Sequence, residues 1–153
     1  MKNISLMKKI IAINLFLFSI IGFAQNTPKD IVDKFFTEYK ADGGSIALDN
    51  LYSNNEWMSR ATDAITNLKQ QLATLNEDYV GQYYGYELIV EKRLSDSYLL
   101  MSYLVKYDRQ PIRFTFQFYK PDNVWRTQSF KYDGTIDDEI EESAKVYYLD
   151  LKK

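Results

Sequence analysis

The apolar residues of this chain change their spacing once, and that change decides what it can fold into. Up to Asn76 they recur every three or four positions; beyond it they recur every two. The alternation is clearest where Ile112, Phe114, Phe116 and Phe118 interleave with Arg113, Thr115, Gln117 and Tyr119, the pattern of a strand with one buried face. Four β-rich segments are expected: Tyr83 to Leu94, Tyr98 to Tyr107, Ile112 to Lys120 and Val124 to Tyr132. The links Ser95-Asp96-Ser97, Asp108 to Pro111 and Pro121-Asp122-Asn123 carry turn residues. Links this short join only antiparallel neighbours, so the strands form a meander.

Three helices are expected before the sheet. The first opens at Thr27-Pro28-Lys29-Asp30, with Thr as N-cap, Pro at the first helical position and an acid in the first turn. Its stripe is Ile31, Val32, Phe35, Phe36 and Tyr39. Asp42-Gly43-Gly44-Ser45 ends it, and Ser45 is placed to cap a short second helix through Ile46, Leu48, Leu51 and Tyr52. The third is expected as one helix from Glu56 to Leu75, with Trp57, Met58, Ala61, Ile65, Leu68, Leu72 and Leu75 on one side. After the sheet, Thr135 to Asp138 starts an acidic C-terminal helix whose inner side is Ile136, Ile140, Ala144 and Tyr147. The fold class is therefore α+β: three N-terminal helices on a curved four-stranded antiparallel meander, plus a C-terminal helix.

Residues 1–24 read as a signal peptide. Lys2, Lys8 and Lys9 precede an apolar run from Ile10 to Phe23, and Gly22-Phe23-Ala24 supplies small residues where a signal peptidase reads. The run is too short for a spanning helix. Residues 25–153 then form a single roll domain of about 129 residues, exported to the periplasm or the extracellular space, with no membrane anchor after cleavage. Without the three leader lysines the charge is 16 basic against 21 acidic residues, which argues against nucleic acid or an anionic membrane as partner. There is no Cys and no His. Disulfides, Cys–His pairs, Ser-His-Asp triads and the usual zinc sites are excluded, and no cofactor is expected.

Helices followed by a curved antiparallel sheet, together with Phe118-Tyr119-Lys120-Pro121, Trp125 and Phe130, resemble the nuclear transport factor 2-like (cystatin-like) superfamily, which includes ketosteroid isomerase and the SnoaL-like proteins. The resemblance covers about Thr27 to Tyr132, and the C-terminal helix departs from it. It implies a Phe face that curves over the helices and encloses an apolar pocket. Such folds host enzymes, binders and dimerisation modules alike, so the resemblance assigns no activity.

The candidate site follows from that face. Tyr103, Phe114, Phe116, Phe118 and Phe130 either line a ligand-sized cavity or fill the core, where each Phe contributes roughly 1.5–3 kcal/mol. A three-residue loop from Pro121 to Asn123 sets Phe118 opposite Arg126, Phe116 opposite Gln128 and Phe114 opposite Phe130, which turns Arg126 and Gln128 inward. Arg126 is then paired, ligand-facing or at the rim. A two-residue loop sends Thr127 and Ser129 inward instead. The first register is preferred because it keeps Phe130 with the other phenylalanines.

Other groups have plainer readings. The strand acids Glu87 and Glu91 share a side away from Tyr84, Tyr86, Leu88 and Val90, so they point to water; Asp49 could reach a pocket mouth, while Asp63 and Asp78 look exposed. Tyr83, Tyr84 and Tyr86, near Gly81 and Gly85, suit glycan stacking or an interface, and equally suit a strand. The acids from Asp133 to Glu142 lack the alternating ligands of a calcium loop and fit a helix N-terminus. The outer sheet face, with Leu100, Leu104, Tyr119 and Trp125, is apolar enough to need a cover, either a homodimer partner or the C-terminal helix. Three functions follow: binding a small apolar or amphipathic ligand without catalysis, interaction through the outer sheet face, or isomerase- or hydratase-like chemistry on a pocket carboxylate.

Overall fold

The computed structural model describes residues 26–148, and side chains only to Lys145 within the last helix. The segment expected to be a signal peptide and the inner position expected for Tyr147 lie outside the described residues. The elements are α1 (Pro28–Asp42), α2 (Gly44–Tyr52), α3 (Glu56–Ser59), α4 (Thr62–Leu72), α5 (Glu77–Val80), β1 (Tyr83–Ser95), β2 (Tyr98–Tyr107), β3 (Ile112–Tyr119), β4 (Arg126–Asp133) and α6 (Ile136–Tyr148). The sheet order is β1-β2-β3-β4, an antiparallel meander. The protein is α+β with a C-terminal helix, as the periodicity predicts.

Helix α1 starts with a capping box. Thr27 accepts from the Asp30 amide, and the Asp30 carboxylate accepts from the Thr27 amide. Ile31, Val32, Phe35 and Phe36 are buried on its stripe. They meet Phe114, Phe116, Phe118 and Phe130 across the layer. Phe35 lies 5.2 Å from Phe116 edge-on, and Phe36 stacks on Tyr86 at 3.8 Å between ring centroids.

Sequence expectations are corrected in three places, the helices, β1 and β4. The helix drawn from Glu56 to Leu75 is two helices, α3 and α4, broken at Arg60 and Ala61. Ala61 caps α4 without a side-chain bond, and Trp57, placed on the buried stripe, is 69% exposed. The cause is tertiary: Asn55 accepts from the Trp57 and Met58 amides with Oδ1 while its Nδ2 reaches β4, so α3 follows that anchor instead of the line of α4. Ser45 is not the cap of α2; Gly43 is, with no side-chain bond.

The second correction is β1. Its register shifts between Leu88 and Val90, which puts Glu87 opposite Leu104 on the outer face and Glu91 opposite Met101 on the helix-facing side. A one-residue bulge exchanges faces for everything beyond it. Glu87 and Glu91 therefore do not share a side, although both are exposed. Val90 turns outward with Ser102, and Tyr83 rather than Tyr84 faces the helices.

The third correction concerns Arg126 and Gln128. Arg126 lies opposite Tyr119 and Thr127 opposite Phe118; the register then shifts so that Phe130 lies opposite Phe116. Gln128 is the extra residue of a bulge. Neither expected register holds throughout: Thr127 points in as one requires and Phe130 as the other requires. Arg126 goes to the outer face and Gln128 to solvent. The bulge leaves the Thr127 backbone outside the ladder, and two asparagines take it up. Its N–H donates to Asn54 Oδ1 at 2.9 Å, and its carbonyl accepts from Asn55 Nδ2 at 2.8 Å. Tyr52 Oη accepts from the Phe130 amide at 3.0 Å, which pins α2 to the same strand.

Candidate functional site

The predicted Phe site is packed shut. Phe114, Phe116 and Phe118 are fully buried, and Tyr103 and Phe130 are 4% exposed. Their rings lie between 5.1 and 6.4 Å from one another in an unbroken set of contacts. With Arg126 and Gln128 outside, the structure does not bring the seven residues together around a space.

The same layer opens at its other end. A cleft of about 630 Å³ lies where the α1–α2 junction, the end of α4, the start of β1 and the end of β2 converge. Leu72, Ala73 and Leu75 give it an apolar wall; Tyr39, Tyr83 and Tyr107 give it an aromatic one; Lys40, Asp42, Asn76, Glu77 and Gln82 make its rim. That volume is typical of small-molecule sites.

Local sequence explains why these groups converge. Tyr39 is the last member of the α1 stripe, one turn past Phe35, and its ring stacks on Phe35 at 5.9 Å. Gly44 lets α2 start close beside α4, since a Cβ there would stand 2.6 Å from Leu72 Cδ2. Gly81 has φ +82° and would carry a Cβ 2.4 Å from Asp108 Cβ, so no other residue fits between α5 and the β2–β3 bend. That bend is tied to the start of β1: Asp108 Oδ2 accepts from the Gln82 amide at 3.0 Å, the Asp108 amide donates to the Gln82 carbonyl, and the Arg109 amide donates to Val80 at 3.0 Å. The cleft wall made by Tyr83 and Tyr107 is thus fixed from two sides.

The three phenols hold the site's polarity. Tyr39 and Tyr107 Oη are 2.6 Å apart, and either can donate. Whichever does, one phenolic proton of the pair has no protein acceptor among the described residues. Tyr83 stands next to both, 5.8 Å from each ring, with no hydrogen-bond partner among the described residues. Burial pushes the Tyr83 phenol up to about 12, with Tyr86 and Tyr39 adding to it. Burial also raises Tyr39 and Tyr107, and Tyr107 is raised further by Tyr39. All three stay protonated near neutral pH and serve as hydrogen-bond donors.

Sequence reasoning missed this site although it noticed Tyr83 beside Gly81 and Gly85. The available signal was a tyrosine at each place where a helix or strand ends near a glycine pair or a bend: Tyr39 before Gly43-Gly44, Tyr83 after Gly81, and Tyr107 before Asp108. A strand end and a helix end can carry a ring that is only half covered.

On the outer sheet face, Leu100 and Leu104 are half-buried and Tyr119 is 42% exposed. Trp125 is not on that face; it packs against the core with Lys120 Nζ 5.0 Å over its ring. Helix α6 lies over Leu104 and Ile89, leaving a second cleft of about 760 Å³ beneath it. Its tether is Arg113, which donates to Asp133 from Nε and Nη2 at 3.0 Å and to Glu139 from Nη1 and Nη2. Among the described residues no three His, Cys, Asp or Glu stand together to hold a metal ion, and no helix is long and apolar enough to cross a membrane. No protein-family model, curated protein or solved structure matches the chain.

Proposed function

We propose that this protein binds a small amphipathic molecule in the tyrosine cleft, its oxygen-bearing end on the phenol hydroxyls and its apolar body on Ala73 and Leu75. The carrying observation is the 2.6 Å Tyr39–Tyr107 hydroxyl pair on the wall of an open cleft. A paired phenol with a spare proton, beside a third phenol without a partner, accepts a carbonyl or carboxylate oxygen without reorganising. Binding rather than turnover is the better reading because the rim acids Asp42 and Glu77 are exposed. A general base needs a carboxylate tuned by an apolar setting. In the exported setting read from the leader, the protein acts as a carrier or sensor of such molecules, on a roll of the kind the nuclear transport factor 2-like resemblance implies.

The experiment is a calorimetric titration with naphthalene-2-carboxylate and 2-acetylnaphthalene, whose flat bodies suit the cleft. The reading requires that one of them binds, and that Tyr39→Phe and Tyr107→Phe each weaken it by about tenfold, the loss of one hydrogen bond to a ligand oxygen. Circular dichroism checks that both variants keep the fold. Two results would overturn the reading: neither probe binds, or both variants bind as the native chain does.

A further inference from the structure

Helix α6 is held over the sheet by one side chain. Arg113 forks onto Asp133, its register partner on β4, at 3.0 Å, and reaches Glu139 of the helix at 2.7 Å. Among the described residues no other hydrogen bond or ion pair joins α6 to the strands. A guanidinium and a carboxylate therefore stand between helix and sheet as a spacer.

The spacer leaves two apolar walls apart. Ile136, Ile140 and Ala144, at helical spacing, line one side of the 760 Å³ cleft, and Ile89 and Leu104 line the other. Ile140 is 62% exposed and Ile89 49%, although both border the same space. The walls do not close on each other. From Ile136 to Ala144 the helix side runs about 12 Å at 1.5 Å per residue, and the volume is in the small-molecule range.

Charge decides the class of occupant. The only charged residues lining the cleft are Arg113 and Glu139. Arg113 is already engaged by two carboxylates, and all four oxygens of Asp133 and Glu139 accept from it. An anionic ligand finds no free cation there, and a cationic one finds no free acid. A charge brought in without a partner is costly, whereas alkyl surface gains by covering Ile89 and Ile140.

We propose that the cleft beneath α6 is a second binding site, for an uncharged molecule with an unbranched alkyl chain. The chain lies along Ile136, Ile140 and Ala144 against Ile89 and Leu104, and the Ser143 hydroxyl meets its polar end. The site is on the opposite side of the sheet from the tyrosine cleft and does not rest on that reading.

Calorimetric titration of the native chain with decan-1-ol and with decanoate tests this. Decan-1-ol is expected to bind, and decanoate at least about tenfold more weakly. Ile140→Asp breaks the apolar wall and Ala144→Trp fills the space; each should weaken decan-1-ol at least about tenfold with unchanged circular dichroism. Tyr39→Phe should bind the alcohol as the native chain does. The proposal is overturned if decan-1-ol does not bind, if decanoate binds equally well, or if both α6 variants bind as the native chain does. Loss of binding in Tyr39→Phe also overturns it, because the alcohol then sits in the tyrosine cleft. So does a native dimer that Ile140→Asp dissociates, since a second copy then fills the space.

Discussion

Along β2 the helix-facing side chains run from Leu99 and Met101 through Tyr103 to Val105 and Tyr107, and the two ends of that row have opposite fates. Around Met101 and Phe116 rings from α1, β3 and β4 close the layer, and these side chains are between 0 and 4% exposed. At Tyr107 the layer gapes into a cleft. Both ends are aromatic; the difference is the hydroxyl. A phenyl ring can be covered on every side, whereas a phenol needs a partner for its proton, and burial without one costs about 1–3 kcal/mol. Tyr103 solves this inside the core by donating to Met101 Sδ at 3.9 Å, and Tyr39 and Tyr107 solve half of it by bonding each other. The unsolved half is what keeps that end suited to a ligand.

Several substitutions break or sharpen the contrast. The largest effect belongs to the closed end: Phe116→Ala should cost about 3–5 kcal/mol in urea unfolding, because rings on three elements surround it and cannot collapse into the space. Asn55→Ala comes next, at about 2 kcal/mol by the same measurement, since one side chain both caps α3 and takes up the bulged Thr127 carbonyl. Thr127→Val should run the other way. Its hydroxyl is fully buried without a partner, so the isosteric methyl should be neutral or stabilise by up to about 1 kcal/mol.

Two pH effects separate the cleft from the outer face. At the cleft, phenols raised in the fold favour the protonated state there. Their contribution is complete below the ordinary tyrosine range, near 10, and is lost as pH rises through about 12 for Tyr83. Ultraviolet titration should therefore show a set of tyrosines that ionise only as the protein unfolds, and one smooth titration near 10 would contradict the buried hydroxyl pair. At α6 the sign reverses. Burial pushes the Asp133 carboxyl up, but Arg113 and Thr135 outweigh it and hold it below its ordinary value; Arg113 likewise lowers Glu139. Their support for α6 is present above the ordinary carboxylate range and fades below about pH 4. Hydrogen exchange at the α6 amides should quicken there, while amides of β3 stay protected; Arg113→Gln should bring the fast exchange up to neutral pH.

The parts of the molecule that were legible in the sequence share one property, which is that a local pattern specifies them. The α1 stripe, its capping box and the alternation of β3 each need only neighbours in sequence, and the short links leave the strands no pairing but a meander. Gln128 carries no local mark of a bulge. Its only trace is that Thr127 and Phe130, three apart, are both buried, which an even strand forbids. The break between α3 and α4 likewise contains neither Gly nor Pro; it follows from the hold of Asn55 on β4.

The amino-acid sequence by itself determined the α+β class, the strand order and which phenylalanines of β3 share a face, and it excluded chemistry that needs Cys or His. Only the tertiary structure decided that Arg126 and Gln128 turn away from the phenylalanine core, and that the opening lies among tyrosines at the far end of the layer. The physical reason is range. Periodicity fixes which side chains share a face of one element, but which faces close completely depends on how rings from distant segments fit and where each polar atom finds its partner.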